Sequence, residues 1–477
     1  MSQTITCDIC IIGAGSGGLS VAAGAAQMGA KVVLIEKGDM GGDCLNTGCV
    51  PSKALLAAGH AAENARRAAR FGIKIGKVSA DGKKVFAHVH SVIDAIAPND
   101  SVERFEGFGV QVLKQAATFV DPTTVQAGDA IVNAKSFVVA TGSSAFVPPI
   151  EGISTLDVLT NENVFDLDTI PEHLIVIGGG PIGCELAQAF RHLGSNVTVL
   201  EMFKILPKDD PDLVNVVRTR LLEDGLVLHE GVKVVRTQGT KDAPEIVVTD
   251  TDGRAHVIKG SHLLVSAGRR ANVQGLGLEH AGVDFSPKGI EVDQRLRSVS
   301  NRRIFAIGDV AGGLQFTHVA GLHAGIVIRN ALFKLPAKAK TDFVPWVTYT
   351  DPELAHVGLT EAKARETYGD TIKVLSWEFS DNDRAQAERN TEGLIKAVVT
   401  KRGKILGCSI VGPHAGELIQ TWVLALEQGL KIGALASTVA PYPTLGEISK
   451  RAAGSFYTAS LFGERTRKIV RFLMKIL

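Results

Sequence analysis

Long hydrophobic runs are missing from this 477-residue sequence: no stretch of 18 uninterrupted apolar residues occurs, so no transmembrane helix is expected. Lysine and arginine are absent from Met1 to Ala30, where Asp8 interrupts the apolar run, which is the wrong pattern for a secretory signal. The expected compartment is therefore the cytoplasm. An excess of one charge is also missing, with 51 Lys plus Arg against 50 Asp plus Glu, and a balance near zero gives no electrostatic footprint for nucleic acid. Cysteine is sparse: Cys7, Cys10, Cys44, Cys49, Cys184 and Cys408 are too few to staple a chain of this length. In a cytosolic protein a disulfide among them would be catalytic or redox-sensing. Aromatic residues make up only 5 %, whereas glycine reaches 51, a composition suited to an α/β protein whose backbone passes close to ligands.

What is present is a repeated design. An apolar strand, Cys7 to Ile12, runs into Gly13-Ala14-Gly15-Ser16-Gly17-Gly18, and a second, Leu174 to Ile177, runs into Gly178-Gly179-Gly180-Pro181-Ile182-Gly183. After each turn come a small-residue helix and another strand (Lys31 to Ile35, Asn196 to Leu200) that ends on an acid, Glu36 or Glu201, 23 residues beyond the first glycine in both copies. Gly13, Gly15 and Gly18, like Gly178, Gly180 and Gly183, allow a tight turn and close approach of a pyrophosphate to the helix N-terminus; the acid accepts from a ribose hydroxyl. Two copies in the right context predict two dinucleotide sites. Glu201 favours NAD(H), because a carboxylate there repels a 2′-phosphate, although Lys204 keeps NADP(H) open. The expected fold is α/β: two Rossmann-like dinucleotide-binding domains and a C-terminal α+β dimerisation domain. Turn-rich and strand-like stretches divide the chain into 1–150 and 271–342 (a first domain in two parts), 151–270 (an inserted second domain) and 343–477.

The segment from Gly41 to Lys53 carries Cys44 and Cys49. Residues five apart in an ideal helix have Cα atoms roughly 8.5 Å apart, beyond the ~7 Å limit for an unstrained disulfide, so a helix through both is excluded if they pair. Gly41, Gly42 and Gly48 are where a distortion is expected. Cys7 and Cys10 lie in the first strand, where an offset of three places them on opposite faces as core residues. Cys184 and Cys408 read as buried thiols.

The cysteine segment, both glycine turns, Ala140-Thr141-Gly142, Ala267-Gly268-Arg269, Gly308-Asp309, Pro352-Glu353 and Val357-Gly358 together resemble the FAD-dependent pyridine nucleotide disulfide oxidoreductases. Dihydrolipoamide dehydrogenase, glutathione reductase and mercuric reductase are members of that family. The resemblance implies FAD and NAD(P)H as cofactors, no metal cofactor, a homodimer, and a redox disulfide between Cys44 and Cys49. Cys49 would be the sulfur next to the flavin and Cys44 the outer thiol that meets the substrate. Lys53 would lie near flavin N5 and pair with Glu185; a cation there stabilises the negative charge that hydride brings. Glu36, Lys37, Gly42, Gly142 and Gly268 would belong to the cofactor sites. Asp309 would take the ribitol hydroxyl, and Thr317 or His318 would lie by the pyrimidine end.

At one point the pattern breaks. The dehydrogenases and glutathione reductases carry His-Pro near the C-terminus with a glutamate four residues after the proline; here the sequence is Pro441-Tyr442-Pro443-Thr444-Leu445-Gly446-Glu447. A histidine of pKa about 6.5 shuttles protons at neutral pH, while a tyrosine near 10 stays protonated. Mercuric reductases also have tyrosine there, but add a C-terminal cysteine pair, and no cysteine follows Cys408. The expected activity is NAD(P)H-dependent reduction of a small disulfide, thiol-bound metal or other oxidant. Dihydrolipoamide dehydrogenase proper is one alternative, and a flavin-thiol sensor without turnover is another. From Arg465 to Leu477, Ile469, Phe472, Leu473 and Ile476 recur at helical spacing opposite Arg467, Lys468, Arg471 and Lys475. This basic amphipathic helix suits either packing on the dimer or peripheral contact with an anionic membrane, which would be the inner face.

Overall fold

The computed structural model describes residues 3–476; Met1, Ser2 and Leu477, the last residue of the amphipathic tail, lie outside it. The chain forms two compact units. Met1–Gly178, His192–Ser195 and Val234–Lys340 make the first, and Gly179–Arg191, Asn196–Lys233 and Thr341–Leu477 the second.

The first unit is built on a sheet in which strands run in the order 111–113, 32–35, 3–12, 130–139, 124–127, 117–121, with 304–306 also paired to 130–139. The four strands Gln111–Leu113, Val32–Ile35, Gln3–Ile12 and Ala130–Val139 run parallel, and the last three in the order are antiparallel. Strands covered on both faces read as continuous apolar runs, and Ile9 to Ile12 and Val32 to Ile35 are all buried. On one face Ile9, Ile11, Val32 and Leu34 pack on Val21, Ala22 and Ala25 of α1 (Ser16–Gln27). Burial of each branched side chain contributes about 1.5–3 kcal/mol. Glycine at position 24 brings α1 close to its neighbour: a Cβ there would lie 2.5 Å from Ile328 Cδ1. A separate parallel set, His173–Ile177 beside His262–Val265, delivers the chain to the second glycine turn.

Cys7 and Cys10 are buried as expected, but they do not face opposite sides. Both lie in one cluster with Ile5 and Ile12, whereas Ile9 and Ile11 lie in the other. Near this change of side the amides of Asp8 and Ile9 both donate to the Lys31 carbonyl (2.8 and 3.2 Å), while the register with 130–139 stays unbroken.

In the second unit the parallel strands Asn196–Glu201 and Val227–Glu230 precede a five-stranded antiparallel sheet in the order 346–348, 353–358, 405–412, 394–400, 372–378. Trp422 sits in its core and donates from Nε1 to Ser449 Oγ at 3.0 Å. Cys408 is buried in this sheet and Cys184 in the helix Pro181–Leu193. Lys396 is buried against Asp210, at 2.9 Å, and also reaches Asp212 and Glu361.

Candidate functional site

The two central cysteines sit on either side of a broken helix. Gly41 (φ +90°) and Gly42 (φ +60°) adopt left-handed conformations and start the short α2 (Gly42–Asn46), which carries Cys44. The chain breaks at Thr47 and Gly48 and restarts as α3 (Cys49–Arg67), with Cys49 as its first residue. The distortion therefore falls where the cysteine spacing required it. The loop is docked on the first glycine turn: Gly41 N donates to Ala14 O at 2.9 Å, and a Cβ on Gly42 would lie 2.7 Å from Gly15 Cα.

All six cysteines are free thiols in this structure. Cys49 Sγ lies 3.3 Å from Oγ1 of Thr317, the residue that opens α4 (Thr317–Ala331). A hydrogen bond from Cys44, another from Thr317 and the charge of Lys53 pull the Cys49 thiol down to about 6, against burial and the nearby Asp43 carboxylate. Its place at the start of α3 adds the helix N-terminus to these influences. Cys44 is pushed far above the ordinary thiol range, first by its hydrogen bond to Cys49 and then by burial. In the reduced pair these shifts favour Cys49 as the thiolate and Cys44 as the thiol.

Around this loop the first glycine turn has the form of a dinucleotide cradle. A side chain at Gly13 would meet Ala140 O at 2.4 Å, and one at Gly18 would meet Gly13 O at 1.9 Å. Gly15 caps α1 with no side-chain hydrogen bond, leaving the first amides of the helix for a ligand. Glu36 closes the cradle, accepting from Ala14 N (2.6 Å) and Gly38 N (2.7 Å), and Lys37 is exposed beside it. Gly142 and Gly268 both have positive φ and open space where a Cβ would point. These features fit FAD.

Three residues outside the predicted site set, Arg269, Asn161 and Ser143, tie the cysteine loop to Asp309. Arg269 donates to Ser143 Oγ and O (both 2.7 Å) and pairs with Asp43 at 3.2 Å. Asn161 donates to Asp43 Oδ1 (3.0 Å) and Thr47 O (3.1 Å). Ser143 Oγ donates to Asp309 Oδ2 at 2.5 Å, and burial raises the pKa of this carboxyl despite that bond and the Arg269 charge. Arg269 had a signal, its place in the Ala-Gly-Arg motif; Asn161, in a turn-rich stretch, had none. His318 stacks on Phe316, ring centroids 5.2 Å apart. Lys53 extends from α3, with Nζ 3.4 Å from Ser52 Oγ.

The second glycine turn reproduces the first. Glu201 accepts from Gly179 N (2.6 Å) and Phe203 N (2.9 Å), as Glu36 does from its own turn. Gly178 has φ +113°, and open space surrounds Gly180 where a Cβ would point. Gly183 and the buried Glu185 lie on Pro181–Leu193; Glu185 accepts from Tyr349 N at 2.9 Å. This arrangement fits a nicotinamide dinucleotide. Tyr442 is 71 % exposed, and its hydroxyl donates to Asp383 Oδ2 at 2.9 Å, which raises the phenol pKa. Glu447 begins the helix Glu447–Leu461. Asp383 was not legible as a partner from the sequence. Among the described residues no cluster of three or more His, Cys, Asp or Glu side chains could hold a metal ion.

Two family profiles match. "Pyridine nucleotide-disulphide oxidoreductase" covers residues 7–324, and the dimerisation domain of the same family covers 344–453. The chain is 36 % identical over 451 residues to a mercuric reductase of Staphylococcus aureus, covering 94 % of this chain and 82 % of that one. It is 38 % identical over 457 residues to a dihydrolipoyl dehydrogenase of Geobacillus stearothermophilus (93 % and 94 % covered). Among solved structures, the Cu(II) complex of the HOCl-induced flavoprotein disulfide reductase RclA from Escherichia coli superposes with a TM-score of 0.83 at 28 % identity, covering 93 % of this chain and 98 % of that one.

Proposed function

Since the chain belongs to the pyridine nucleotide-disulphide oxidoreductases, we propose that it passes electrons from NADH through FAD and Cys44–Cys49 to a small disulfide, thiol-bound metal ion or other small oxidant. It is a FAD-dependent disulfide oxidoreductase that uses FAD and NAD(P)H, and its dimerisation domain supports a homodimer. The choice of NADH rests on Glu201, whose carboxylate holds two backbone amides at the ribose end of the second turn and would repel a 2′-phosphate.

The observation that carries the proposal is the geometry of the cysteine loop, with Cys44 on α2 and Cys49 opening α3 at 3.3 Å from Thr317 Oγ1, a setting that lowers the Cys49 thiol and raises that of Cys44. Bound FAD supplies the two-electron relay between nicotinamide and disulfide. The protein keeps the reduced pair ready: Thr317 and Lys53 hold Cys49 as thiolate, while Cys44 keeps its proton until an acceptor arrives. With a disulfide acceptor, Cys44 sulfur attacks one acceptor sulfur as its proton departs with the other, which leaves as a thiol. Cys49 thiolate then attacks Cys44 sulfur, re-forming the Cys44–Cys49 bond and releasing the second acceptor sulfur as a thiolate. Two electrons pass.

Proton transfer is the weak step. Tyr442, in the position of the family histidine, keeps its proton at neutral pH, and the Asp383 carboxylate makes it a still weaker acid. Dihydrolipoamide dehydrogenase activity is the second reading, favoured by the identity to that enzyme, and on this account it is slow. Copper and mercury in the names of relatives favour thiol-bound metal ions among the acceptors to be tried. Anaerobic assays with lipoamide, organic disulfides and thiol-bound Cu(II) or Hg(II) test the proposal. Sustained NADH oxidation lost in Cys44→Ser is expected; a protein that is reduced once and then stalls with every acceptor is a sensor, contrary to the proposal.

A further inference from the structure

The amphipathic segment forms a helix, α5 (Glu464–Leu473), that has no buried residue. Its apolar side chains are open: Ile469, Val470, Phe472 and Leu473 are about half exposed or more, and Met474 and Ile476, just beyond, reach 74 % and 66 %. Leu461 and Phe462 extend the apolar surface back to the preceding helix, at 57 % and 67 %. Seen down the axis, Arg467, Lys468, Arg471 and Lys475 fall on one side and Ile469, Val470, Phe472, Leu473 and Ile476 on the other. On the charged side Lys468 pairs with Glu464 at 3.6 Å; Arg465 and Thr466 fall among the apolar side chains, and the Thr466 hydroxyl donates to Ser460 O at 2.7 Å.

We propose that α5 lies on an anionic lipid surface. Charge decides between that and a second copy of the chain. Residues 464–476 hold five cations (Arg465, Arg467, Lys468, Arg471, Lys475) and one acid (Glu464), a net of +4, in a chain whose net charge is +1. Symmetric pairing of α5 with itself would set cation against cation with no acid beyond Glu464 to relieve it. An anionic surface complements the four cations of the charged side together. The long arginine and lysine stems lie along the apolar band and lift their heads to the phosphates while Phe472, Leu473 and Ile476 enter the acyl boundary. A basic residue beside such a surface strengthens binding about fivefold, and the effect is lost within a screening length.

The test is co-sedimentation of the FAD-loaded protein with phosphatidylcholine vesicles, with or without phosphatidylglycerol. The full chain binds the anionic vesicles at low salt, binds pure phosphatidylcholine weakly, and is released at about 1 M salt, where the screening length is about 3 Å. A version ending at Gly463 stays dimeric and FAD-loaded and does not bind. In the full chain, Arg467→Gln with Arg471→Gln lowers partitioning by about 25-fold, and Phe472→Ser with Leu473→Ser also releases the protein. Negligible binding of the full chain at low salt, or equal binding by the shortened one, overturns the proposal. A shortened chain that sediments as a monomer also overturns it, because the face then belongs to a second copy.

Discussion

Removing the Thr317 hydroxyl isolates one of the forces that set the reactive sulfur. Oγ1 lies 3.3 Å from Cys49 Sγ, and Thr317→Val keeps the shape of the side chain without its donor. Hydrogen bonds to charged groups contribute about 1.5–3 kcal/mol when buried. Cys49 is only partly desolvated, so solvent screening reduces that to about 0.7–1.4 kcal/mol, which moves the pKa by about 0.5–1. The midpoint near 6 should rise to about 6.5–7, since the bond from Cys44 and the charge of Lys53 remain. The assay is the rate of alkylation of Cys49 in the reduced holoenzyme against pH, with the modified peptide identified by mass. A depressed thiol pKa also stabilises the reduced fold fully above the unfolded value near 9, and that stabilisation disappears as pH falls through about 6. Wild-type protein should thus lose its stability advantage over Cys49→Ser between pH 9 and 6. A wild-type midpoint near 9, or no change in Thr317→Val, would show that these groups do not hold Cys49 as a thiolate.

Tyr442→His should raise lipoamide reduction, because a base that titrates near neutrality contributes roughly 10²–10⁴ in rate; unchanged turnover, measured by NADH oxidation, counts against a missing base. Lys396→Met leaves Asp210 buried without its cation and should cost about 3–5 kcal/mol in urea unfolding, whereas a loss under 1 kcal/mol would show that the site rehydrates.

The sequence was most informative where backbone geometry admits few residues. Gly13, Gly18 and Gly178 are glycines because a Cβ would collide with backbone oxygen, and the acids 23 residues on close their turns as the motif demands. The break before Cys49 followed from the reach of a disulfide. Cys10 was placed on the wrong face because the strand departs from strict alternation near Asp8, where two successive amides share the Lys31 carbonyl, and the residue order carries no sign of it. Long-range polar pairing was equally hidden. Thr317 is 268 residues from Cys49, and Asp383 is 59 from Tyr442; no local pattern joins either pair. Arg269 stood in a recognisable motif, but its grip on Asp43 and Ser143 emerges only when separate strands converge.

On this account Cys49 is the thiolate facing the flavin and Cys44 the thiol that meets the acceptor. Absorbance spectra of FAD-loaded Cys44→Ser and Cys49→Ser, recorded from pH 5 to 9 before and after one equivalent of NADH, test it most directly. Cys44→Ser should show a long-wavelength thiolate-to-flavin band without reductant, fading with acid as Cys49 takes up a proton, and Cys49→Ser should show none. A band in Cys49→Ser, or spectra indistinguishable from wild type in both variants, contradicts the assignment.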